Sequence, residues 1–162
     1  MKKFLLAVIA LLGLAAADVN AQIISYSQTK ITKSQKQGFQ QVAEILGGME
    51  LEEQPLACIQ YIAGYRFNNT VFVGGGIGGG YAQAQIFANA KFYFTSTRVQ
   101  PTAELSVGGA FGDEEGLDAL ITPHLGINIT TSSRLNYHFS IGVQILPIYA
   151  AVYPSLKIGV SF

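Results

Sequence analysis

Ser155-Leu156-Lys157-Ile158-Gly159-Val160-Ser161-Phe162 alternates without exception, with Leu156, Ile158, Val160 and Phe162 on one face and Ser155, Lys157, Gly159 and Ser161 on the other. A two-residue period of this kind is that of a β-strand with one apolar face. Its last residue is an aromatic, where soluble chains usually fray in polar residues. The pattern suits a strand that pairs with the first strand of a sheet and closes it into a barrel.

The opposite end of the chain reads as a targeting segment. Met1-Lys2-Lys3 is a positive n-region, Phe4 to Ala17 is an apolar stretch, and Val19-Asn20-Ala21 is a small-x-small pattern that places cleavage between Ala21 and Gln22. Residues 1–21 are therefore expected to be a secretory signal peptide. Residues 22–37 are polar, carry Lys30, Lys33 and Lys36, and lack sustained periodicity, so they read as a flexible periplasmic N-terminal tail. Residues 38–162 form the remaining domain. Cys58 is the one cysteine, which excludes an internal disulfide even in an oxidising compartment.

Alternation begins at Gly38 and recurs in eight runs: Phe39 to Leu51, Ala57 to Phe67, Thr70 to Tyr81, Ile86 to Thr95, Thr102 to Phe111, Ala119 to Ile129, Leu135 to Leu146 and Tyr153 to Phe162. The connections between them, such as Asn68-Asn69 and Ser96 to Gln100, are short enough for hairpins, which makes an up-and-down antiparallel meander the simplest topology. The predicted fold is all-β, an eight-stranded antiparallel up-and-down transmembrane β-barrel. An even strand count puts both termini on one side, the periplasmic side after export.

Charge placement identifies the solvent around the barrel. A lipid-facing Lys or Arg at the bilayer midplane costs about 2–4 kcal/mol, and Glu44, Arg66, Lys91, Glu104 and Lys157 all fall on the face opposite the apolar one. In the seventh run Asn136, His138, Ser140, Gly142 and Gln144 point in, while Leu135, Tyr137, Phe139, Ile141, Val143 and Ile145 point out. A soluble lipocalin-like barrel would show the reverse. At the outer rim Glu50, Glu52, Glu53, Asp113, Glu114, Glu115 and Asp118 gather, whereas the tail lysines, Arg98 and Arg134 gather at the periplasmic rim.

In this order the pieces resemble the small outer-membrane β-barrel proteins of the porin-like family that includes OmpA/OmpX-type barrels. The likeness rests on the leader, Gly38-Phe39, Tyr65-Arg66-Phe67-Asn68 before Val71-Phe72-Val73-Gly74-Gly75-Gly76-Ile77-Gly78, Ile86-Phe87-Ala88, Pro101 and the final strand. It implies residence in the outer membrane of the Gram-negative cell envelope, contact with outer-membrane lipid and lipopolysaccharide, and a monomer without nucleic-acid partners. It also implies that the final strand is read by the barrel-assembly machinery through Val160 and Phe162, although Lys157 stands where the common pattern has glycine.

Several candidate sites lie on the inward face. Lys91 and Glu104 are expected to face each other across a hairpin, Glu44 to lie near Arg66, and Lys157 to close against the first strand, forming a lumen ion network. His124 and His138 are expected opposite each other across a hairpin centred near Thr131, as a hydrogen-bonded lumen pair rather than a metal site, since no further ligand is in reach. Cys58 is expected inward as a small lumen filler. Gly74-Gly75-Gly76-Ile77-Gly78-Gly79 satisfies G-x-G-x-x-G, but no helix follows and no acid lies some 20 positions on, so the glycines read as a bent strand. His138-Phe139-Ser140 resembles the His-x-Ser spacing of outer-membrane lipid A deacylases, yet no acidic residue follows Asp118 to complete a triad. The expectation is a non-enzymatic barrel without cofactor or metal, its polar lumen plugged, with a structural or surface-interaction role. The alternatives are a narrow pore for small solutes or ions and, remotely, a lipid A-modifying hydrolase.

Overall fold

The computed structural model describes residues 37–49, 55–80, 83–112, 116–131, 135–148 and 150–162. The signal segment with its Ala21/Gln22 cleavage point, nearly all of the tail, Arg134 and every rim acid except Asp118 lie outside the described residues. Eight strands follow in order: β1 Gly38–Met49, β2 Pro55–Arg66, β3 Val71–Gly80, β4 Gln83–Tyr93, β5 Val99–Gly112, β6 Gly116–Thr130, β7 Asn136–Leu146 and β8 Ala151–Ser161. Each pairs antiparallel with the next, and β8 returns to β1, so the sheet is a closed barrel. Closure continues past the last strand residue, where Gln41 and Phe162 exchange backbone hydrogen bonds of 3.0 and 2.9 Å.

All eight predicted runs are strands, and several extend further than the alternation indicated. Strand β4 starts at Gln83 rather than Ile86, β5 spans Val99–Gly112, and β6 starts at Gly116. The β5–β6 ladder runs up to Gly112↔Gly116, with Gly116 at a φ of 81° that a residue with a Cβ rarely adopts. Pro101 and Pro154 sit inside strands with their rings exposed, Pro154 within the predicted eighth run and Pro101 just before the predicted start of the fifth.

The barrel is staggered. Following partners from Gly38 through Arg66, Phe72, Lys91, Glu104, His124, Gly142 and Ser155 returns to β1 at Gly48, ten residues further along. Each step to the next strand therefore climbs a little more than one residue toward the loop end, the end opposite the termini. This stagger tilts the strands and decides which inward side chains share a height.

The outer wall is apolar. Ile45, Ile59, Ile77, Ile141 and Ile158 are exposed around the middle of the wall, Ile59 to 68%. Exposed aromatics Phe39, Tyr65, Phe67, Phe92, Phe94, Tyr137, Phe139 and Phe162 all lie in the half nearer the termini. Among the described residues only Phe111 is an exposed aromatic near the loop end.

The inner wall is more mixed than the sequence indicated. Beside the polar side chains it buries Val42, Ile62, Phe72, Phe87, Tyr93, Ala110, Leu120 and Leu146 as one cluster. The reason lies in β3, whose inward positions after Phe72 are Gly74, Gly76, Gly78 and Gly80. A Cβ on Gly76 would come within 2.6 Å of the Phe87 ring and 3.0 Å of Ile62 Cγ1, so the bare strand is what gives those side chains room. An eight-stranded interior is just wide enough for side chains to fill, and here rings and aliphatics fill one side of it.

Candidate functional site

Five ionisable side chains from five strands converge in the lumen. Glu104 of β5 is the centre: its Oε2 accepts from Lys91 Nζ at 2.8 Å, and its Oε1 accepts from Lys157 Nζ at 2.7 Å and from Asn89 Nδ2 at 2.9 Å. Lys157 of β8 also lies 3.5 Å from Glu44 Oε1, and Glu44 Oε2 accepts from His138 Nε2 at 2.6 Å. A carboxylate can only accept, so this contact places a hydrogen on Nε2 of His138. The chain of contacts is thus Lys91, Glu104, Lys157, Glu44, His138, with two carboxylates matched to two ammonium groups. Side-chain exposure is 0–4% throughout, so these charges are held by one another rather than by water.

Each local register explains a contact. Lys91 is the direct cross-strand partner of Glu104, as the short β4–β5 hairpin implied. Glu44 is paired with Gly159 on β8, and Gly159 in turn with His138 on β7. Because Gly159 has no side chain, the imidazole reaches across β8 to β1; a Cβ there would lie 2.6 Å from His138 Nε2.

Arg66 does not join this network. Its cross-strand partner on β1 is Gly38, six residues from Glu44, whose own partner is Gln60. Arg66 instead closes the termini end of the lumen, donating to the carbonyls of Asn68 at 3.1 Å and Asn69 at 2.8 Å and stacking 3.9 Å above the Tyr93 ring.

The expected histidine pair is not formed either. His124 faces Gly142, and His138 faces Asn128, because the β6–β7 register is symmetric about residue 133 rather than 131. His124 Nε2 is hydrogen-bonded to Ser155 Oγ at 3.0 Å, which leaves the two imidazoles in separate contacts. Among the described residues no group of three His, Cys, Asp or Glu is placed to hold a metal ion.

Above the charges, toward the loop end, the lumen is crossed by amides. Gln60 Nε2 donates to Gln85 Oε1 at 2.8 Å, Gln85 Nε2 to Gln83 Oε1 at 3.0 Å, and Gln144 Nε2 to Gln83 Oε1 at 3.2 Å. Of these glutamines the sequence analysis places only Gln144 on the inward face; the inward parity of Gln60, Gln83 and Gln85 is the signal that would have added them. Cys58 is buried beside them, with Sγ directed at the Ile59 carbonyl at 3.5 Å. Asp118, expected on the solvated rim, is buried instead, and its Oδ1 accepts from the Ile148 amide at 3.0 Å to hold the β7–β8 connection.

The structure supplies the acid that the His-x-Ser spacing lacked, since Glu44 orients His138. Ser140 Oγ, however, is buried with no hydrogen-bond partner and so is not hydrogen-bonded to the imidazole. Nucleophile activation requires that contact, so the arrangement is a charge network and not a triad.

Apolar outside, charged and amide-lined inside, closed and antiparallel, the molecule has the architecture of a small transmembrane β-barrel. It is similar to the N-terminal β-barrel domain of Pseudomonas aeruginosa OprF, with a TM-score of 0.57 and 12% identity over 78% of this chain and 98% of that one. Neisserial surface protein A, NspA, matches with a TM-score of 0.53 and 16% identity over 77% and 94% of the two chains. The de novo designed TMB2.3 matches with a TM-score of 0.52 and 15% identity over 78% and 94%. No family model and no curated protein sequence matches the chain. At these identities the likeness is one of fold, and the fold is the one that the resemblance of the sequence to OmpA/OmpX-type barrels implied.

Proposed function

We propose that the protein is an integral outer-membrane β-barrel whose lumen is plugged and whose role is structural or at the cell surface, without catalysis. The observation that carries this reading is the mid-lumen network in which Lys91, Glu104, Lys157, Glu44 and His138 are buried against one another. A conducting pore needs a hydrated path, and here the amide layer of Gln60, Gln83, Gln85 and Gln144 lies above the charges, with Arg66 on Tyr93 below them. Both termini are assigned to the periplasm, the loops to the outer face, and the Val160 and Phe162 strand to recognition by the assembly machinery.

Planar-bilayer recording of the refolded chain tests the plug. The expected result is no steady conductance from the native protein, with open events appearing in Glu104→Ala, where the network is cut at its centre. Steady conductance from the native protein would replace this reading with the narrow pore. Membrane fractionation with a heat-modifiable gel shift tests the compartment, and recovery in the soluble fraction would overturn it.

A further inference from the structure

A small polar cluster breaks the apolar outer wall. Gln41 of β1 faces outward among Phe39, Ala43 and Ile45, and its Oε1 accepts a hydrogen bond from the Tyr61 hydroxyl at 2.6 Å. Beside it on β2, the Tyr65 hydroxyl oxygen accepts from Gln37 Nε2 at 3.4 Å, and the Tyr65 ring is steadied edge-on by Phe67 at 5.3 Å between centroids. The cross-strand partner of Gln41 is Ala63, which makes Tyr65 its diagonal neighbour on the same face, about 7–8 Å away and within reach of long side chains. Ala63 is too small to cover either group.

The hydrogen bonds already made determine what remains. With Oε1 occupied, Gln41 offers the N–H groups of Nε2; with its oxygen engaged, Tyr65 offers its O–H. Neither has an acceptor among the described residues. Two neighbouring donors, the Gln41 N–H groups and the Tyr65 O–H, are therefore left facing the membrane.

Position narrows the ligand. Allowing for the stagger, Gln41 is level with the exposed rings of Tyr65, Phe92, Tyr137 and Phe162 to within little more than one residue. Tyrosines at such a band sit at the boundary between hydrocarbon and headgroups. Gln41 is on the hydrocarbon side of Phe39, where a lipid presents ester carbonyls rather than phosphate. Ester carbonyls are acceptors only, which complements a pair of donors. We propose that Gln41 and Tyr65 form a two-donor clip for the acyl-ester carbonyl oxygens of a glycerophospholipid in the leaflet at the termini end, with Tyr61 fixing the Gln41 amide so that its nitrogen faces the lipid. This inference rests on the membrane reading above.

The test uses the full chain refolded into vesicles. Co-flotation with the vesicles comes first, and its failure would overturn the membrane reading and the clip together. Floated protein is then placed in nanodiscs holding equal amounts of diester and diether phosphatidylethanolamine of the same chain length, and retained lipid is weighed by native mass spectrometry. The diester lipid is expected to be retained several-fold over the diether, with Gln41→Leu and Tyr65→Phe each bringing the ratio close to one and Ile127→Ala leaving it unchanged. Leucine at position 41 suits the lipid face at least as well as glutamine, and a heat-modifiable band confirms that each variant is folded. Equal retention of the two lipids by the native chain, or a ratio insensitive to both substitutions, would overturn the clip while leaving the membrane reading intact. Conversion of a native dimer to a monomer by Gln41→Leu would also overturn it, because the donors would then serve a second copy of the chain.

Discussion

Glu104→Gln is the substitution that probes the lumen most directly. Glutamine keeps the shape of the side chain but removes its charge, and it replaces an acceptor with an amide nitrogen facing an ammonium group. Lys91, 2.8 Å from Oε2, loses the carboxylate that it contacts, while Lys157 keeps Glu44 at 3.5 Å, longer than a hydrogen bond. Breaking one buried ion pair costs about 3–5 kcal/mol. Two ammonium groups share this carboxylate, so the upper part of that range is expected. For an m-value near 2 kcal/mol/M, a loss of about 4 kcal/mol lowers the urea midpoint by roughly 2 M. The chain has no tryptophan, so unfolding from lipid vesicles is followed by far-ultraviolet circular dichroism rather than indole fluorescence. Lys91→Met with Glu104→Leu should be less damaging than the two single changes added together, by about 1–3 kcal/mol. A Glu104→Gln midpoint within about 0.5 kcal/mol of the native protein, the range of an ordinary surface change, would refute the view that these charges depend on one another.

Three further outcomes follow from the same geometry. Gly159→Ala should displace His138 from Glu44, because the new Cβ lies 2.6 Å from Nε2, and the His138 ring signal in NMR should shift while the strand signals of β3 do not. Arg66→Met should cost about 1–3 kcal/mol through the lost carbonyl and ring contacts, and combining it with Glu44→Gln should be additive within about 0.5 kcal/mol, since the two sites do not touch. Ile158→Arg, on the outer wall opposite Ile45 and Phe139, should destabilise the barrel in bilayers by about 2–4 kcal/mol in chemical denaturation.

The faces of the strands were legible because alternation has a period of two and eight runs agree with one another. Lys91 and Glu104 were legible because a short hairpin fixes its own register. His124 and His138 were misplaced by a shift of two residues in the centre of the β6–β7 connection, which a polar run without glycine does not specify. Pairing Glu44 with Arg66 ignored that antiparallel partners are fixed by distance from the turn, which puts Gln60 opposite Glu44. The contacts from Lys157 to Glu104, 53 residues away, and from His138 to Glu44, 94 residues away, cross the lumen or a bare glycine. They depend on the stagger of the closed sheet, which no local pattern encodes. The buried aliphatic and aromatic side was hidden for a related reason: it is the vacancy left by the glycines of β3, not the hydrophobicity of Phe87, that lets the ring turn inward.

The strands that contribute to the network are β1, β4, β5, β7 and β8, and its two bonds to Glu44 exist only across the seam where the last strand meets the first. An eight-stranded sheet still unzipped at that seam would hold Glu44 at one margin, cut off from both Lys157 and His138 at the other. Lys91 and Glu104 meet within one hairpin, but the carboxylate of Glu44 gains its cation only when the cylinder is sealed, so electrostatics favours closure at that seam.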